Sequence, residues 1–144
     1  MAEPTPKHSV SVAAAVVNEV GELLSVRRRD NSRWEPPGGV LELDETIHAG
    51  LIREVREETG LTVEPESLTG VYKNMKRGIV ALVFRCHVRS GVPSPTTEAA
   101  EVRWLTAEQV AELMSEAYAT RLLDALRFGP PAVRAHDGVA LLQV

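Results

Sequence analysis

The chain has 144 residues, with 16 Lys and Arg against 20 Asp and Glu and a formal net charge of −4. This length predicts one domain over residues 1–144, and the single cysteine excludes an internal disulfide. There is no apolar run of about 18 residues and no early apolar segment, so we expect a cytoplasmic protein with no membrane partner. The acidic balance, with no basic cluster beyond residues 27–29, argues against a duplex nucleic-acid partner.

The first third of the chain predicts two strands and a turn-rich connection. Residues 1–7 contain two prolines and predict a flexible leader. Two apolar runs, VSVAAAVV at 10–17 and ELLSVRR at 22–28, predict strands that the turn between them joins into a hairpin. The prolines and glycines of WEPPGG at 34–39 fix an irregular backbone that leads into an acidic helix over residues 45–59.

The predicted helix has defined ends and an apolar stripe. We expect Asp44 to cap its N-terminus and Gly60 to end it in the left-handed conformation. Gly50 is either a tolerated surface glycine or a place where bare backbone leaves room for a metal or a phosphate. Three apolar side chains place one face at the edge of the core: Ile47, Leu51 and Val55.

Negative charge is concentrated in this helix and the residues before it. Residues 42–58 hold six acids and two bases, a local charge of −4, so the rest of the chain is neutral. With Glu54 at 0° and about 100° per residue, Glu57 falls at about −60° and Glu58 at about +40°. Three carboxylates on one face suit Mg²⁺ or Mn²⁺ better than Zn²⁺. The alternative is an acidic, solvated helix face without a ligand.

These residues resemble the signature of the Nudix hydrolases. Gly39, Glu45 after five intervening residues and, after seven more, the run REVREETGL at 53–61 match it at every defined position. The resemblance implies an α+β protein with the Nudix-type α/β/α sandwich and a mixed β-sheet. It also implies Mg²⁺-dependent hydrolysis of a phosphoanhydride bond in a nucleoside diphosphate linked to another group.

The same resemblance implies roles for the motif residues. Glu54, Glu57 and Glu58 are expected to be metal ligands, with the carbonyl of Gly39 contributing. Arg53 is expected to hold the carboxylates in register through charge-assisted hydrogen bonds. For the neighbouring Arg56 in the same run, we expect an ion pair on the helix surface.

The rest of the chain predicts further strands and a C-terminal helical part. A turn is expected at Pro65, and a Pro/Gly/Ser loop at 90–97. Extended segments are expected at 61–63, 68–74, 79–88 and 101–105, the middle two as a hairpin. A capping box at 106–109 opens a helix that continues to residue 126. Four of its residues are expected to face inward: Val110, Leu113, Met114 and Ala117. Residues 132–144 form an uncertain tail, whose last residues are either a short strand or frayed.

Glu98 is the candidate for a fourth site carboxylate, because it lies six residues before Trp104. The resemblance implies a metal ligand or a general base at this place. The alternatives are a solvated loop side chain and, for the site role, Glu101. The general base varies within the family, and the sequence does not identify it.

Three residues outside the motif are candidates for substrate binding. Arg28 at the end of the second strand could reach a phosphate, with a solvated strand end as the alternative. Trp34 and Tyr72 could stack on a base or a sugar, with packing as the alternative for Trp34. Cys86 lies in an apolar run and predicts a buried thiol.

The substrate class is less defined than the reaction. The ADP-ribose and diadenosine polyphosphate groups of the family carry marker residues downstream of the motif. This chain has Arg77 and Gly78 at those two positions, so both markers are absent. A small chain then favours a nucleoside triphosphate or a small nucleotide-sugar as substrate. The alternative function is a non-catalytic nucleotide sensor or partner-binding module on the same fold. The resemblance also allows a homodimer.

Overall fold

A computed structural model describes residues 4–143; residues 1–3, part of the predicted leader, and residue 144 lie outside the described residues. The described part contains nine strands and three helices. The strands are β1 (Ser9–Val16), β2 (Leu23–Arg28), β3 (Trp34–Glu35), β4 (Gly38–Val40), β5 (Thr62–Asn74), β6 (Ile79–Ser90), β7 (Ala99–Leu105), β8 (Ala132–His136) and β9 (Leu141–Leu142). The helices are α1 (Ile47–Thr59), α2 (Ala107–Leu113) and α3 (Glu116–Asp124).

The central sheet has six strands in the order β4-β1-β6-β5-β8-β9. β1 is parallel to β6, with Ala13 beside Val83, and β5 is parallel to β8. The other neighbours are antiparallel, so the sheet is mixed, as expected. The short β9 pairs with β8, so the C-terminal segment contains a strand at Leu141–Leu142.

A second sheet has three antiparallel strands in the order β3-β2-β7. The predicted hairpin of β1 with β2 is therefore wrong, although a single bridge joins Val17 to Leu23. Both edges of β1 are occupied, by β4 on one side and β6 on the other. β2 pairs instead with β7, where Leu24 lies opposite Trp104.

The central sheet is packed between α1 on one face and α2 with α3 on the other. Successive residues of β1 point to opposite faces and divide two apolar clusters between them. The cluster beside α1 includes Val12, Val16, Leu51 and Val55. The cluster beside α2 and α3 includes Ala13, Ala15, Val110 and Leu122. The expected α/β/α sandwich is confirmed.

The N-terminus of α1 differs from the prediction. Thr46 caps the helix, because its Oγ1 accepts a hydrogen bond from the Ala49 N–H at 3.2 Å. The predicted cap by Asp44 is wrong. Glu45 lies before the helix, where its carboxylate accepts the Glu42 N–H at 2.9 Å.

The rest of α1 follows the prediction at its C-terminus and in part of its apolar stripe, but not at Gly50. Gly60 ends the helix with a φ of 79°, as predicted. Two residues of the apolar stripe are buried, but Ile47 is 41% exposed because it lies in the first turn, at the edge of the sheet. Gly50 is buried, and a Cβ there would clash with the side chains of Leu41 and Glu45. It is therefore neither a surface glycine nor open space for a ligand.

The second half of the chain contains two further differences. β5 passes through Pro65 without the predicted turn, because a register shift between Pro65 and Ser67 accommodates a residue that cannot donate a ladder hydrogen bond. The predicted long helix is interrupted at Met114, whose extended backbone buries its side chain in the core, and α3 begins after Ser115. The predicted capping box of α2 is present, but Leu113 is 46% exposed.

Candidate functional site

Arg53 lies at the centre of the acidic cluster. Its Nε and Nη2 donate to the two carboxylate oxygens of Glu45 at 2.8 and 2.6 Å. Its Nη1 donates to Glu54 at 3.0 Å and to Glu57 at 3.3 Å. The hydrogen bonds from Arg53 lower the pKa of Glu45 to about 2. One guanidinium therefore links the loop before α1 to two carboxylates on the helix face.

Glu58 is buried between α1 and the Pro-Pro-Gly-Gly segment. Its side chain is 6% exposed, and its Oε1 accepts a hydrogen bond from the Gly38 N–H at 2.8 Å. Burial raises the pKa of Glu58 to about 8; the Gly38 hydrogen bond opposes this shift, and the charges of Glu54 and Glu98 add to it. Glu58 forms no ion pair with another residue of the described part of the chain.

Glu54 lies directly against Gly39. Its side chain is 13% exposed, and a Cβ on Gly39 would clash with its carboxylate. Burial also raises the pKa of Glu54, although the hydrogen bond from Arg53 opposes the shift. Glu57 is 59% exposed. The alternative of a fully solvated acidic face is therefore wrong for Glu54 and Glu58.

The donor set fits a hard divalent cation. Within residues 4–143, no three His, Cys, Asp or Glu side chains lie close enough together to hold a metal ion by themselves. The carboxylate of Glu54 nevertheless lies against the backbone of Gly39 and that of Glu58 against the Gly38 N–H, and Glu58 has no ion-pair partner among the described residues. Carboxylate and carbonyl oxygens are the ligands that Mg²⁺ and Mn²⁺ prefer.

Glu98 is carried close to this cluster by the preceding loop. The Thr96 hydroxyl donates to the backbone oxygen of Glu58 at 3.2 Å, which joins the loop to the last turn of α1. Glu98 is exposed, and its charge raises the pKa of both Glu54 and Glu58. It therefore lies within electrostatic range of the two buried carboxylates.

Two other charged candidates are placed differently. Glu101, the second choice for the fourth carboxylate, pairs with Arg27 across β2 and β7 at 2.9 Å. Arg56 is exposed, and the ion pair predicted for it is not found among the described residues. The structure thus brings Glu98, and not Glu101, toward the motif.

The comparisons with known proteins agree on one family. The NUDIX domain model matches residues 7–126. A MutT-like protein of Streptomyces ambofaciens is 60% identical over 137 residues, which cover 95% of this chain and 89% of that protein. The chain belongs to the Nudix family. It is accordingly one of the Nudix pyrophosphohydrolases.

Two more distant matches extend over most of the Nudix domain. An ADP-ribose pyrophosphatase of Methanocaldococcus jannaschii is 26% identical, covering 74% of this chain and 67% of the relative. The crystal structure of a MutT protein from Methanosarcina mazei Go1 has 28% identity and a TM-score of 0.72, covering 87% of this chain and 97% of that one. One of these relatives is named an ADP-ribose pyrophosphatase and the other a MutT protein, so the matches do not point to one substrate.

The substrate contact predicted for Tyr72 is wrong. Its side chain is completely buried, and its hydroxyl donates to Asp124 at 2.7 Å. Arg134 binds the same carboxylate through two hydrogen bonds of 2.7 and 2.8 Å. Tyr72 points to the α3 side of the sheet, because alternate residues of β5 face opposite sides. It joins β5 to α3 inside the core.

Trp34 and Arg28 lie near the motif, and their binding roles stay predictions. Trp34 is half-buried against the cluster beside α2 and α3, with the Arg103 guanidinium 5.8 Å from its ring centroid. Arg28 donates to both carboxylate oxygens of Asp30, at 2.9 and 2.7 Å. Much of its charge is therefore already compensated.

A cleft of about 450 Å³ is lined by Glu35, three residues before Gly38, and sequence reasoning did not predict it. The loop between β2 and β3, the turn between β5 and β6, α3 and the turn between β8 and β9 form its walls. Its charged and aromatic lining includes Arg28, Arg33, Glu35, Lys76, Arg77 and Tyr118. The one feature of the sequence that could have indicated this cleft is Glu35, the charged residue of WEPPGG, three positions before Gly38. Neither this cleft nor a larger one of about 610 Å³ between α3 and β8 is lined by a residue of the motif itself.

Two side chains outside the candidate site pack against the rest of the fold. Cys86 is buried, as predicted. The ring of His48 packs edge-on against Phe84, with centroids 5.2 Å apart.

No helix in residues 4–143 combines the length and the apolar content that crossing a membrane requires.

Proposed function

We propose that this Nudix pyrophosphohydrolase uses Mg²⁺ to hydrolyse a phosphoanhydride bond in a nucleoside diphosphate linked to another group. Mn²⁺ is the alternative cofactor. One arrangement carries the proposal: Glu54 and Glu58 lie beside the backbone of Gly38 and Gly39, and Arg53 donates to Glu54 at 3.0 Å.

The residues that would hold the cation are the oxygen donors of this arrangement. They are Glu54, Glu57, Glu58, Glu98 and the backbone carbonyl of Gly39. When bound, the divalent cation would neutralise phosphate oxygens and make water more acidic. The rest of the reaction depends on how side chains and backbone groups of this protein are positioned around the substrate.

Arg53 is proposed to set the positions of the carboxylates. It donates four hydrogen bonds to Glu45, Glu54 and Glu57 and one to the Val40 carbonyl, so it ties the helix face to the preceding loop. The Gly38 N–H orients Glu58 in the same way. Glu98 is exposed beside these groups and is available to accept a proton from water.

The proposed substrate is a nucleoside triphosphate or a small nucleotide-sugar. The cleft of about 450 Å³ has four basic lining residues against two acids, which favours an anionic ligand there. Arg28 and Trp34 are the proposed contacts on this side. A homodimer and a cytoplasmic location stay predictions from the sequence.

A nucleotide panel with Mg²⁺ and Mn²⁺, followed by chromatography of the products, tests the reaction. We expect release of phosphate, pyrophosphate or a nucleoside monophosphate from at least one substrate. Glu57→Gln and Glu58→Gln should lower kcat by roughly a hundredfold or more, because each removes a charged ligand. Glu112→Gln changes an exposed acid on α2 and serves as the matched control. Absence of turnover by the unmodified protein across the panel would contradict the proposal.

A further inference from the structure

The carboxylate of Glu98 is positioned by the backbone that carries it. Glu98 is exposed, and its side chain forms neither a hydrogen bond nor an ion pair with another described residue. Its charge nevertheless acts on the buried carboxylates of Glu54 and Glu58, whose pKa values it raises. Because no side-chain contact holds the Glu98 carboxylate, its place beside the two buried carboxylates depends on the turn formed by residues 96–99.

This turn leads into a β-bulge at the start of β7. The register of β2 with β7 shifts by one residue between Arg27 and Arg28, which leaves Ala100 without a partner on β2. A bulge bends its strand and changes the direction of the side chains beside it. The direction of the neighbouring Glu98 side chain therefore depends on how firmly the turn is held.

Arg29 binds the turn from the end of β2, through its backbone and its side chain. Its N–H donates to the Glu98 carbonyl at 2.9 Å. Its Nη2 donates to the carbonyl of Thr96 at 3.0 Å and to that of Ala99 at 3.4 Å. One residue thus holds backbone carbonyls before and after the Glu98 side chain.

The guanidinium of Arg29 has no carboxylate partner. Its two neighbours form ion pairs, Arg27 with Glu101 at 2.9 Å and Arg28 with Asp30 at 2.7 Å, whereas Arg29 forms none with another described residue. A charged donor makes a stronger hydrogen bond than a neutral one. The side-chain hydrogen bonds of Arg29 therefore all go to the backbone of the turn.

Thr96 attaches the same turn to α1. Its hydroxyl donates to the Glu58 carbonyl at 3.2 Å and accepts the Ala99 N–H at 3.1 Å. The backbone N–H of Thr96 also donates to the Ala99 carbonyl at 3.0 Å. The turn is therefore held on one side by the helix that carries Glu58 and on the other side by Arg29.

We infer that Arg29 is a positioning residue, which fixes the Glu98 carboxylate beside the motif glutamates by binding backbone carbonyls on both sides of it. The inference rests on the proposed function and deepens it. Arg29 acts through Glu98 and does not bind the substrate. A contact that binds substrate and transition state equally changes KM, whereas a positioning residue changes kcat.

Steady-state kinetics on the best nucleotide of the panel tests this role. We expect Arg29→Ala to lower kcat about tenfold and to leave KM within about threefold, because Glu98 is displaced while the substrate contacts remain. Arg29→Lys should recover part of kcat, since an ammonium group can still bind one of the carbonyls. A raised KM with unchanged kcat would overturn the inference, and so would unchanged values of both.

Arg89→Ala is the matched control for these measurements. Arg89 is an exposed arginine near the end of β6, paired with Glu64 at 3.1 Å. Its removal should leave kcat unchanged. Circular dichroism melting shows whether each variant is folded, and a loss of kcat in Arg89→Ala equal to that in Arg29→Ala would overturn the inference.

A double-mutant cycle shows whether Arg29 acts through Glu98. In the Glu98→Gln protein, assayed at a raised enzyme concentration, Arg29→Ala should lower kcat by less than about twofold, because the carboxylate that it positions is already absent. A loss of about tenfold in this background would mean that the two residues act independently, and it would overturn the inference.

Paired substitutions of Thr96 test the second attachment of the turn. Thr96→Ser keeps the hydroxyl and should leave kcat unchanged. Thr96→Val removes both hydrogen bonds of the hydroxyl and should lower kcat about tenfold. Equal kcat values in the two folded variants would contradict a role for the geometry of the turn.

Hydrogen exchange measured by mass spectrometry separates this inference from the proposed function, because it needs no turnover. In Arg29→Ala, the amides of residues 94–99 should exchange faster than in the unmodified protein, whereas those of α1 should stay protected. Faster exchange in a protein without turnover would support the anchoring by Arg29 and contradict the proposed reaction. Unchanged exchange would overturn the inference. Turnover that is indifferent to Glu98→Gln would also overturn it and leave the proposed reaction standing.

Discussion

Arg53 and Glu45 form a two-pronged ion pair across eight residues of sequence, with Nε and Nη2 at 2.8 and 2.6 Å from the two carboxylate oxygens. This pair joins the loop before α1 to the helix face that carries Glu54 and Glu57. The motif glutamates are thus positioned by a contact that is formed outside the helix.

Replacement of Arg53 by Lys should lower kcat roughly tenfold or more, since an ammonium group cannot bind Glu45 with two parallel hydrogen bonds and reach Glu54 as well. Turnover measurements at saturating nucleotide and Mg²⁺ check this. Arg56→Lys is the matched control on the same helix, because Arg56 is exposed. Equal activity of the two variants would show that the positioning by Arg53 is unimportant.

The same pair should make stability depend on pH. Hydrogen bonds from Arg53 lower the pKa of Glu45 from its ordinary value of 4.5 to about 2. The pair therefore stabilises the fold fully above about pH 4.5, and this contribution disappears as the pH falls toward 2. Melting temperatures of the protein and of Glu45→Gln should differ most near neutral pH and converge in acid. A difference that persists at pH 2 would contradict the assignment.

Substitution of Tyr72 by Phe should reduce stability without reducing substrate affinity. The change removes a buried hydrogen bond to the Asp124 carboxylate, at a cost of about 1–3 kcal/mol. Urea unfolding measures the loss, and KM for the nucleotide should stay unchanged. Tyr118→Phe, which removes a hydroxyl from a less buried ring, should be nearly neutral in stability. A raised KM in the Tyr72 variant would restore its predicted substrate contact.

Alanine at the two glycines of the motif loop should have different effects. A Cβ on Gly38 would clash with the backbone of Val12 and Ala13, so Gly38→Ala should lower the melting temperature strongly. The three atoms nearest to a Cβ on Gly39 all belong to the Glu54 carboxylate, which is the end of a flexible side chain. Gly39→Ala should therefore remain folded and lose activity. Comparable melting temperatures for the two variants would contradict this distinction.

Addition of Mn²⁺ should raise the melting temperature of the protein by mass action. A free cation concentration of a hundred times Kd corresponds to about 2.7 kcal/mol of stabilisation. Glu58→Gln should lose most of this rise, and Glu112→Gln should retain it. A thermal-shift titration in a chelator-treated buffer measures the effect. Equal shifts in both variants would place the cation elsewhere.

Local patterns predicted the parts of the fold that depend on neighbouring residues. The helix end at Gly60 and the capping box of α2 are confirmed, because each needs residues only a few positions apart. Glu54 and Glu58 are four residues apart on α1, so helical geometry by itself places them on the same helix face. The predicted cap at Asp44 failed because a longer-range contact holds Glu45 outside the helix.

Sequence by itself determined the family through a motif of fixed spacing, and the resemblance to that family gave the sandwich; the set of oxygen donors stays a prediction of the same motif. Tertiary structure alone decided which strand pairs with β1, that Tyr72 is buried, and that Glu35 and Tyr118 meet in one cleft. The physical reason is distance along the chain: Glu35 and Tyr118 line the same cleft although they are 83 positions apart. Such encounters depend on how the two sheets and α3 pack, and no local pattern specifies that packing.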